Sequence, residues 1–241
     1  MNEPSAAMPP PDAHLQQRAL QLYLALRLHR DTWAGALMLG IGLDEAGRAL
    51  ALASLAAGAA ALFLEHDSAH LRSAQREGCC TFTVTTLPEA IRILKNEVRQ
   101  RRAITVALRG PIGDALQEAV RRGLQPEALA FSRPPTAQEE AYAASLHARG
   151  ADQLSGFGLV DSPDAIDLQA PLFSAMGDRW VLDTHAATRA ERIRQDVELL
   201  TEANTVDGDA DPLERLAARW LQAAPSLFPR ARSRAMLCRT V

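Results

Sequence analysis

Residues Met38 to Asp67 read MLGIGLDEAGRALALASLAAGAAALFLEHD. An apolar run leads into a glycine-bearing turn, an Ala- and Leu-rich segment of helical length follows, and a second apolar run ends in acidic residues. Strands buried on both faces of a parallel sheet are apolar throughout, and a helix usually connects two of them. The stretch therefore predicts a strand, a helix and a second parallel strand, with the outline of a dinucleotide-binding unit.

The same alternation of short apolar runs and amphipathic segments extends along the chain. Helices are predicted near residues 14–30, 46–57, 68–78, 87–100, 114–123, 137–150, 186–203 and 212–223. Strands are predicted near 34–40, 60–64, 81–84, 103–110, 128–131, 154–160, 179–183 and 234–240. We therefore expect an α/β fold with a doubly wound, mostly parallel, Rossmann-like sheet and helices on both faces.

The domain organisation follows from the two ends of this pattern. Residues 1–13 form a Pro-rich segment that we expect to be a flexible lead, and residues 14–241 form a single domain, with a small helical lobe near 137–150 as an option. The lead has neither a basic start nor an apolar signal core, which favours a cytoplasmic protein.

Composition excludes several classes of function. The chain has 241 residues, 47% of them hydrophobic, and a formal charge of −3 with acids and bases interspersed. A nucleic-acid partner is not expected because no basic face is indicated. The apolar run from Ala49 to Leu64 is interrupted by Ser54 and Gly58, so no membrane span is expected.

No metal site or disulfide framework is predicted. Cys79, Cys80 and Cys238 are odd in number and lack CxxC spacing, and a strained vicinal disulfide between the first two is a minor alternative. Neighbours on an extended chain point in opposite directions, so the triplet Glu65-His66-Asp67 does not converge on a metal without a turn.

The glycine turn allows two interpretations. Gly40 and Gly42 begin a GxGxxG pattern, but its third glycine falls on Glu45, and Asp44 precedes it. Acids in the first turn of a helix stabilise an unliganded amino terminus and compete with phosphate for its amides. In the favoured interpretation, the glycines only allow the chain to form the tight turn. In the other interpretation, they bind a nucleotide, and Glu65 binds a ribose hydroxyl.

Several longer segments resemble the central NAD-binding domain of urocanase (urocanate hydratase). They are LASLAAGAAALFLEHD at 52–67, LPEAIRILKNEVRQRRAITVALRGPIGDALQEAVRRGLQPEAL at 87–129, PLFSAMGDRWVLDT at 171–184 and RWLQAAPSLFPRARSRAMLC at 219–238. The resemblance implies a Rossmann-like fold and, in intact family members, a dimer built with the help of flanking regions and a bound NAD that acts as an electrophile on urocanate. Family members also carry flanking regions that help to build the substrate pocket.

Carried over residue by residue, the resemblance implies a degenerate site. The family turn GLGGMGG falls on residues 42–48 and keeps only Gly42 and Gly47 of its glycines, while the ribose-binding acid falls on Glu65. His70 stands where the family has an arginine. The family loop GNAAE falls on residues 110–114, which keeps Gly110 but puts Pro111 at the cofactor-contacting asparagine. The family's DQTSAHD is replaced at residues 131–137, and its active-site cysteine by Ser174.

The polar positions are lost while the apolar framework persists, so we expect no active urocanate hydratase, no catalytic residues and no cofactor. The favoured function is a non-catalytic binding or interaction module that self-associates as a dimer or has a partner protein. The alternative is a sensor or hydro-lyase-type enzyme that binds NAD or another adenine nucleotide. Its candidate cofactor-binding residues are Gly40, Gly42, Gly47, Glu65 and Gly110.

Two further polar features receive minor interpretations. Asp183 and His185 are candidates for an acid and a base beside Ser174, as in a makeshift hydrolase. The run VDGDAD at 206–211 lacks the final glutamate of a calcium loop, so Asp211 is predicted to cap a helix that begins at Pro212.

Overall fold

The structure is a computed structural model that describes residues 13–157, 164–177, 180–184, 211–228 and 234–239. The predicted lead, apart from its last residue, and the predicted helix at 186–203 lie outside these ranges. The described elements are α1 (Ala13–His29), β1 (Leu37–Ile41), α2 (Glu45–Ala57), β2 (Ala60–Glu65), α3 (Ser68–Arg76), β3 (Phe82–Val84), α4 (Leu87–Gln100), β4 (Ile104–Arg109), α5 (Ile112–Arg121), β5 (Ala128–Phe131), α6 (Ala137–His147), β6 (Asp152–Ser155), β7 (Ile166–Asp167), α7 (Gln169–Met176), β8 (Trp180–Thr184), α8 (Pro212–Leu227) and β9 (Ala235–Arg239).

The main sheet has seven strands in the order β3-β4-β2-β1-β5-β6-β7. Every neighbouring pair in it is parallel. On one side of β1 the chain adds β2, places β3 at the edge and then inserts β4 between them; it returns to the other side of β1 and adds β5, β6 and β7 outward. The predicted doubly wound, mostly parallel α/β fold is confirmed, and β1 is the strand at which the winding reverses.

Helices cover both faces of this sheet, as predicted. Side chains alternate between faces along each strand: Met38 joins the core beneath α1 and α2, whereas Leu37, Leu39 and Ile41 join the core beneath α4, α5 and α6. The first core also receives Trp220 and other apolar side chains of α8. The strands at the centre are therefore buried on both sides, which is why their sequences are apolar throughout.

Local sequence signals determine where several of the helices begin and end. The carboxylate of Asp44 caps α2, and Gly58, with φ of +93°, ends it. Pro88 stands in the first turn of α4, where a missing N–H costs nothing. Asp211 caps α8 through Leu213 N, so the predicted cap is confirmed. None of the helices that the structure describes combines the length and apolar character needed to cross a bilayer.

The later part of the chain differs from its sequence-based prediction. β6 begins at Asp152 and ends at Ser155, earlier than the predicted strand at 154–160, while β7 and α7 were not predicted. These two elements are short, and α7 contains Pro171, so their sequences carry little periodicity. β8 and β9 do form near the predicted positions, but they pair antiparallel with each other in a separate two-stranded sheet.

Candidate functional site

The glycine turn lies at the carboxyl edge of the sheet, directly after β1. Gly42 has φ of +95°, and a Cβ atom added to it would lie 2.1 Å from Ser132 Oγ at the end of β5. A Cβ on Gly47 would lie 2.2 Å from the carbonyl oxygen of Gly42. Both glycines are therefore required by the chain's own close approach in the turn, whether or not a ligand is present.

Carboxylates of the chain occupy two amide groups of this turn. Asp44 Oδ1 accepts a hydrogen bond of 3.0 Å from Gly47 N, and Glu65 Oε2 accepts one of 2.7 Å from Leu43 N. Both amides lie at the start of α2, where a bound phosphate would seek donors. Glu45, the other acid of the turn, is exposed and makes no described hydrogen bond. The turn thus has its own anions at the positive end of the helix.

Glu65 connects the ends of β1 and β2. Its side chain is 3% exposed. Its carboxylate accepts four hydrogen bonds, from the backbone amides of Leu43, His66 and Asp67 at 2.7–2.8 Å and from His70 Nδ1 at 3.0 Å. Each oxygen receives two of these donors, so the acceptor capacity of a buried carboxylate is largely filled from within the chain.

These contacts determine the charge of Glu65. Burial by itself raises the pKa of the carboxyl group, but hydrogen bonds from Asp67 N, Leu43 N and the His70 ring outweigh it, and the pKa lies below its ordinary value. Glu65 is therefore ionised at neutral pH. Because an ionised carboxylate can only accept, the proton in the hydrogen bond with His70 belongs to Nδ1 of the ring.

The other predicted cofactor residues divide between the strand interior and the edge. Gly40 lies inside β1, where an added Cβ would lie 2.2 Å from a ring carbon of Phe63, so it serves the packing between strands. Gly110 lies at the same edge as Gly42, and its amide donates to the carbonyl oxygen of Glu65 at 3.1 Å. Its Cβ position is open. The next residue, Pro111, has no N–H to offer a ligand.

The loop after β5 holds two polar residues that the sequence analysis did not single out. Ser132 Oγ is buried beside Gly42 and has no hydrogen-bond partner among the residues that the structure describes. Arg133 makes a bidentate ion pair, at 2.6 and 2.9 Å, with Glu139, which is buried in the first turn of α6. The spacing of Thr136 and Glu139 is that of a capping box, which the structure forms, so the sequence did contain a signal for the position of Glu139.

The remaining candidates are not assembled into a site within the described residues. His66 Nδ1 lies 3.4 Å from Glu65 Oε1, but Asp67 Oδ1 accepts from Ala69 N and caps α3, so the carboxylate of the third residue of the triplet is used elsewhere. No group of three or more His, Cys, Asp or Glu side chains in the described ranges is placed to hold a metal ion. Cys79 and Cys80 are free thiols. The side chains of Ser174 and Asp183, together with His185 and residues 206–210, lie outside what the structure describes.

At this edge, as it is arranged, a dinucleotide would have to displace carboxylates of the chain itself. The pyrophosphate of NAD would meet the carboxylates of Asp44 and Glu65 at the two amides that they occupy. A ribose hydroxyl would have to displace one of the internal donors of Glu65. Arg133 and Arg48, two cations that a phosphate could meet here, are already paired with Glu139 and Glu77.

A comparison with protein families identifies the part of the chain that builds this edge. Residues 20–132 match the family model described as the urocanase Rossmann-like domain. The match runs from within α1 through Ser132, so it includes the glycine turn, Glu65 and Gly110. The resembling segments at 171–184 and 219–238 lie outside it. With its parallel sheet and winding about β1, the part of the chain from residue 20 to residue 132 resembles a urocanase Rossmann-like domain.

Proposed function

We propose that this urocanase Rossmann-like domain works as a non-catalytic binding or interaction module and that the chain does not hydrate urocanate. The observation that carries the proposal is the carboxylate of Glu65, whose four hydrogen bonds come from the chain itself. In the family that the sequence resembles, the matching acid serves the cofactor. Here the acid holds the ends of two strands and the start of α2 together.

The neighbouring substitutions support the same function. Asp44 caps α2 through Gly47 N, which adds a negative charge where a pyrophosphate would lie. Pro111 replaces an asparagine of the family pattern, and the segment at 131–137 replaces its DQTSAHD motif. All of these changes affect polar groups at one edge of the sheet, whereas the buried strands remain apolar. The apolar scaffold is thus retained, while the polar groups that would contact a cofactor are changed. We expect this combination in a protein that binds a partner.

The direct test is an assay of the purified full-length chain with urocanate, with and without added NAD, beside an active urocanase as positive control. We expect no hydration above background and no NAD in the mass spectrum of the freshly purified protein. Turnover that depends on protein concentration would reject the proposal, as would stoichiometric NAD in the purified sample.

A second candidate function is binding of NAD or another adenine nucleotide, as a sensor or a hydro-lyase-type enzyme. Ser132 Oγ favours it, because a buried hydroxyl without a partner beside Gly42 is a group that a ligand could satisfy. Selective binding to the folded state raises stability by about 2.7 kcal/mol at a hundredfold excess over Kd. A saturable rise in melting temperature with NAD, lost in Ser132→Ala, would establish this function; no rise at millimolar NAD would exclude it.

Self-association is the form of interaction that we propose first. β3 is an edge strand of the main sheet, and Phe82 on it is 50% exposed. An uncovered edge offers backbone donors and acceptors to a strand of a second copy. We expect a concentration-dependent dimer in sedimentation velocity, weakened by Phe82→Lys. A monomer at all concentrations would leave a different partner protein as the proposed ligand.

Because Cys79 and Cys80 are free, a reducing compartment such as the cytoplasm is the proposed location.

A further inference from the structure

A cavity of about 510 Å³ opens at the amino-terminal edge of the main sheet, opposite the glycine turn. It lies between α4 and the segment that follows α5, with the start of β1 and the residue before β5 at its base. Its apolar lining consists of Leu37, Ile91, Leu94, Val98 and Leu124. The volume is within the range of small-molecule sites, which runs from about 300 to 1,000 Å³.

One face of α4 supplies an apolar wall with a basic border. Ile91, Leu94 and Val98 lie on this face at helical spacing, and Lys95 and Arg99 lie beside them, one turn apart. No acid is positioned to balance Lys95 along the helix, because the residues three and four positions away are Ile91, Arg92, Val98 and Arg99. Like charges at this spacing repel each other, so the wall carries positive charge that a bound anion would balance.

The other charges at the cavity have internal partners. Arg122 Nε donates to Glu118 Oε1 at 2.6 Å, and the carboxylate of Glu127 accepts from Leu37 N at 2.5 Å. Within the described part of the chain, the one hydrogen bond of the Arg99 side chain is a 3.4 Å contact with Asn96 Oδ1. Lys95 has no hydrogen-bond or ion-pair partner among the described residues and is exposed. Lys95 also precedes the last turn of α4, so it does not gain the stabilisation that a cation receives from the helix dipole in that turn.

We propose that this cavity binds a small amphiphilic carboxylate, with its aliphatic chain along Leu94, Val98 and Leu124 and its carboxylate at Lys95 and Arg99. Contact between the aliphatic chain of the ligand and the apolar floor would release water. The two cations would orient the ligand through its carboxylate. A folded partner is less well suited, because a stable protein interface needs about 800 Å² on each side. The site is independent of the glycine turn and of the function proposed for it.

The test uses the full-length chain, sodium octanoate as the probe and 1-octanol as its uncharged counterpart. In a titration followed by amide chemical shifts, octanoate should give saturable changes confined to α4, Leu37 and residues 122–125. Lys95→Met, which keeps an apolar stem, should weaken octanoate binding about two- to fivefold, as expected for a partly exposed ion pair. It should leave octanol binding unchanged.

Arg72→Met on α3 is the matched control, because Arg72 is also an exposed helical cation but does not line the cavity. It should leave octanoate binding unchanged. Far-UV circular dichroism checks that each variant is folded, and Lys95→Gln provides a second removal of the charge. The proposal would be overturned by absence of saturation up to about 10 mM octanoate, which excludes even weak millimolar affinity. Equal binding of octanol, or equal weakening by Arg72→Met, would also overturn it.

Discussion

Replacing Glu65 by Gln tests whether this acid holds the edge of the sheet together. The variant keeps the size of the side chain but turns one acceptor oxygen into an NH2 donor. In one orientation of the amide, the NH2 group faces Leu43 N; in the other, it faces the amides of His66 and Asp67. At least one backbone N–H therefore loses its acceptor, and Leu43 itself is fully buried.

The magnitude follows from that loss. A hydrogen bond to a charged group contributes about 1.5–3 kcal/mol, and a buried donor left without an acceptor costs about 1–3 kcal/mol. Because the Glu65 side chain is only 3% exposed, water does not replace the bond. We expect Glu65→Gln to lower the free energy of unfolding by about 2–3 kcal/mol.

Urea unfolding followed by circular dichroism measures this change, with a lower midpoint and an unchanged m-value. Glu45→Gln is the control, because Glu45 is an exposed acid of the same turn; it should lose at most about 1 kcal/mol. Equal stability of the two variants, or a loss below about 0.5 kcal/mol for Glu65→Gln, would refute the reasoning. The acid would then be free to serve a ligand.

The pH dependence provides an independent measurement of the same contacts. The pKa of Glu65 is lowered in the folded state from an ordinary value of 4.5. The stability that its ionised form provides is thus fully present above pH 4.5 and is lost as the pH falls below that value. The difference in stability between wild type and Glu65→Gln should be largest near neutral pH and should shrink in acid. A difference that grows in acid would contradict this sign.

Three further predictions concern the same domain. Gly42→Ala should cost at least about 1–3 kcal/mol because of its positive φ, with part of the loss recovered in the double variant with Ser132→Gly; stability equal to wild type would contradict the close approach. Arg133→Met should lower the free energy of unfolding by about 3 kcal/mol because it leaves the carboxylate of Glu139 buried and unpaired, whereas Arg122→Met, at an exposed pair of the same 2.6 Å length, should lose less than about 1 kcal/mol. Burial raises the pKa of the Cys80 thiol to about 12, so in a Cys238→Ser background a disulfide reagent should label Cys80 only after unfolding; fast labelling of the native protein would contradict this.

The repeated alternation in the sequence predicts most of the fold because it depends on local burial. α4 and β5 begin and end where the periodicity places them, at residues 87–100 and 128–131. The two-residue strand β7 and the short helix α7 escaped prediction, since they span too few residues to show a period. Strand pairing in the later region also escaped it, because the apolar runs at β8 and β9 do not specify which strand each will join.

The candidate site was predictable in its location and less so in its contacts. The glycines and Glu65 lie at one edge because parallel strands bring their carboxyl ends together. Which donors Glu65 meets depends on the position of Leu43, 22 residues away in the turn after β1, as well as on the nearby His70 of α3. The buried pair of Arg133 with Glu139 could have been suspected from the capping box, but the burial of Glu139 could not.

The sequence by itself determined the doubly wound scaffold and the positions of its turns, because apolar periodicity and helix caps act within a few residues. Only the tertiary structure decided that donors of the same chain fill the acceptor positions of the Glu65 carboxylate. It also decided that Gly42 lies against Ser132. It also created the cavity beside α4, since Leu37, Val98 and Leu124 line it together only after the strands and helices have packed. Hydrogen bonds and cavities between distant segments depend on distances in space, which the order of residues does not contain.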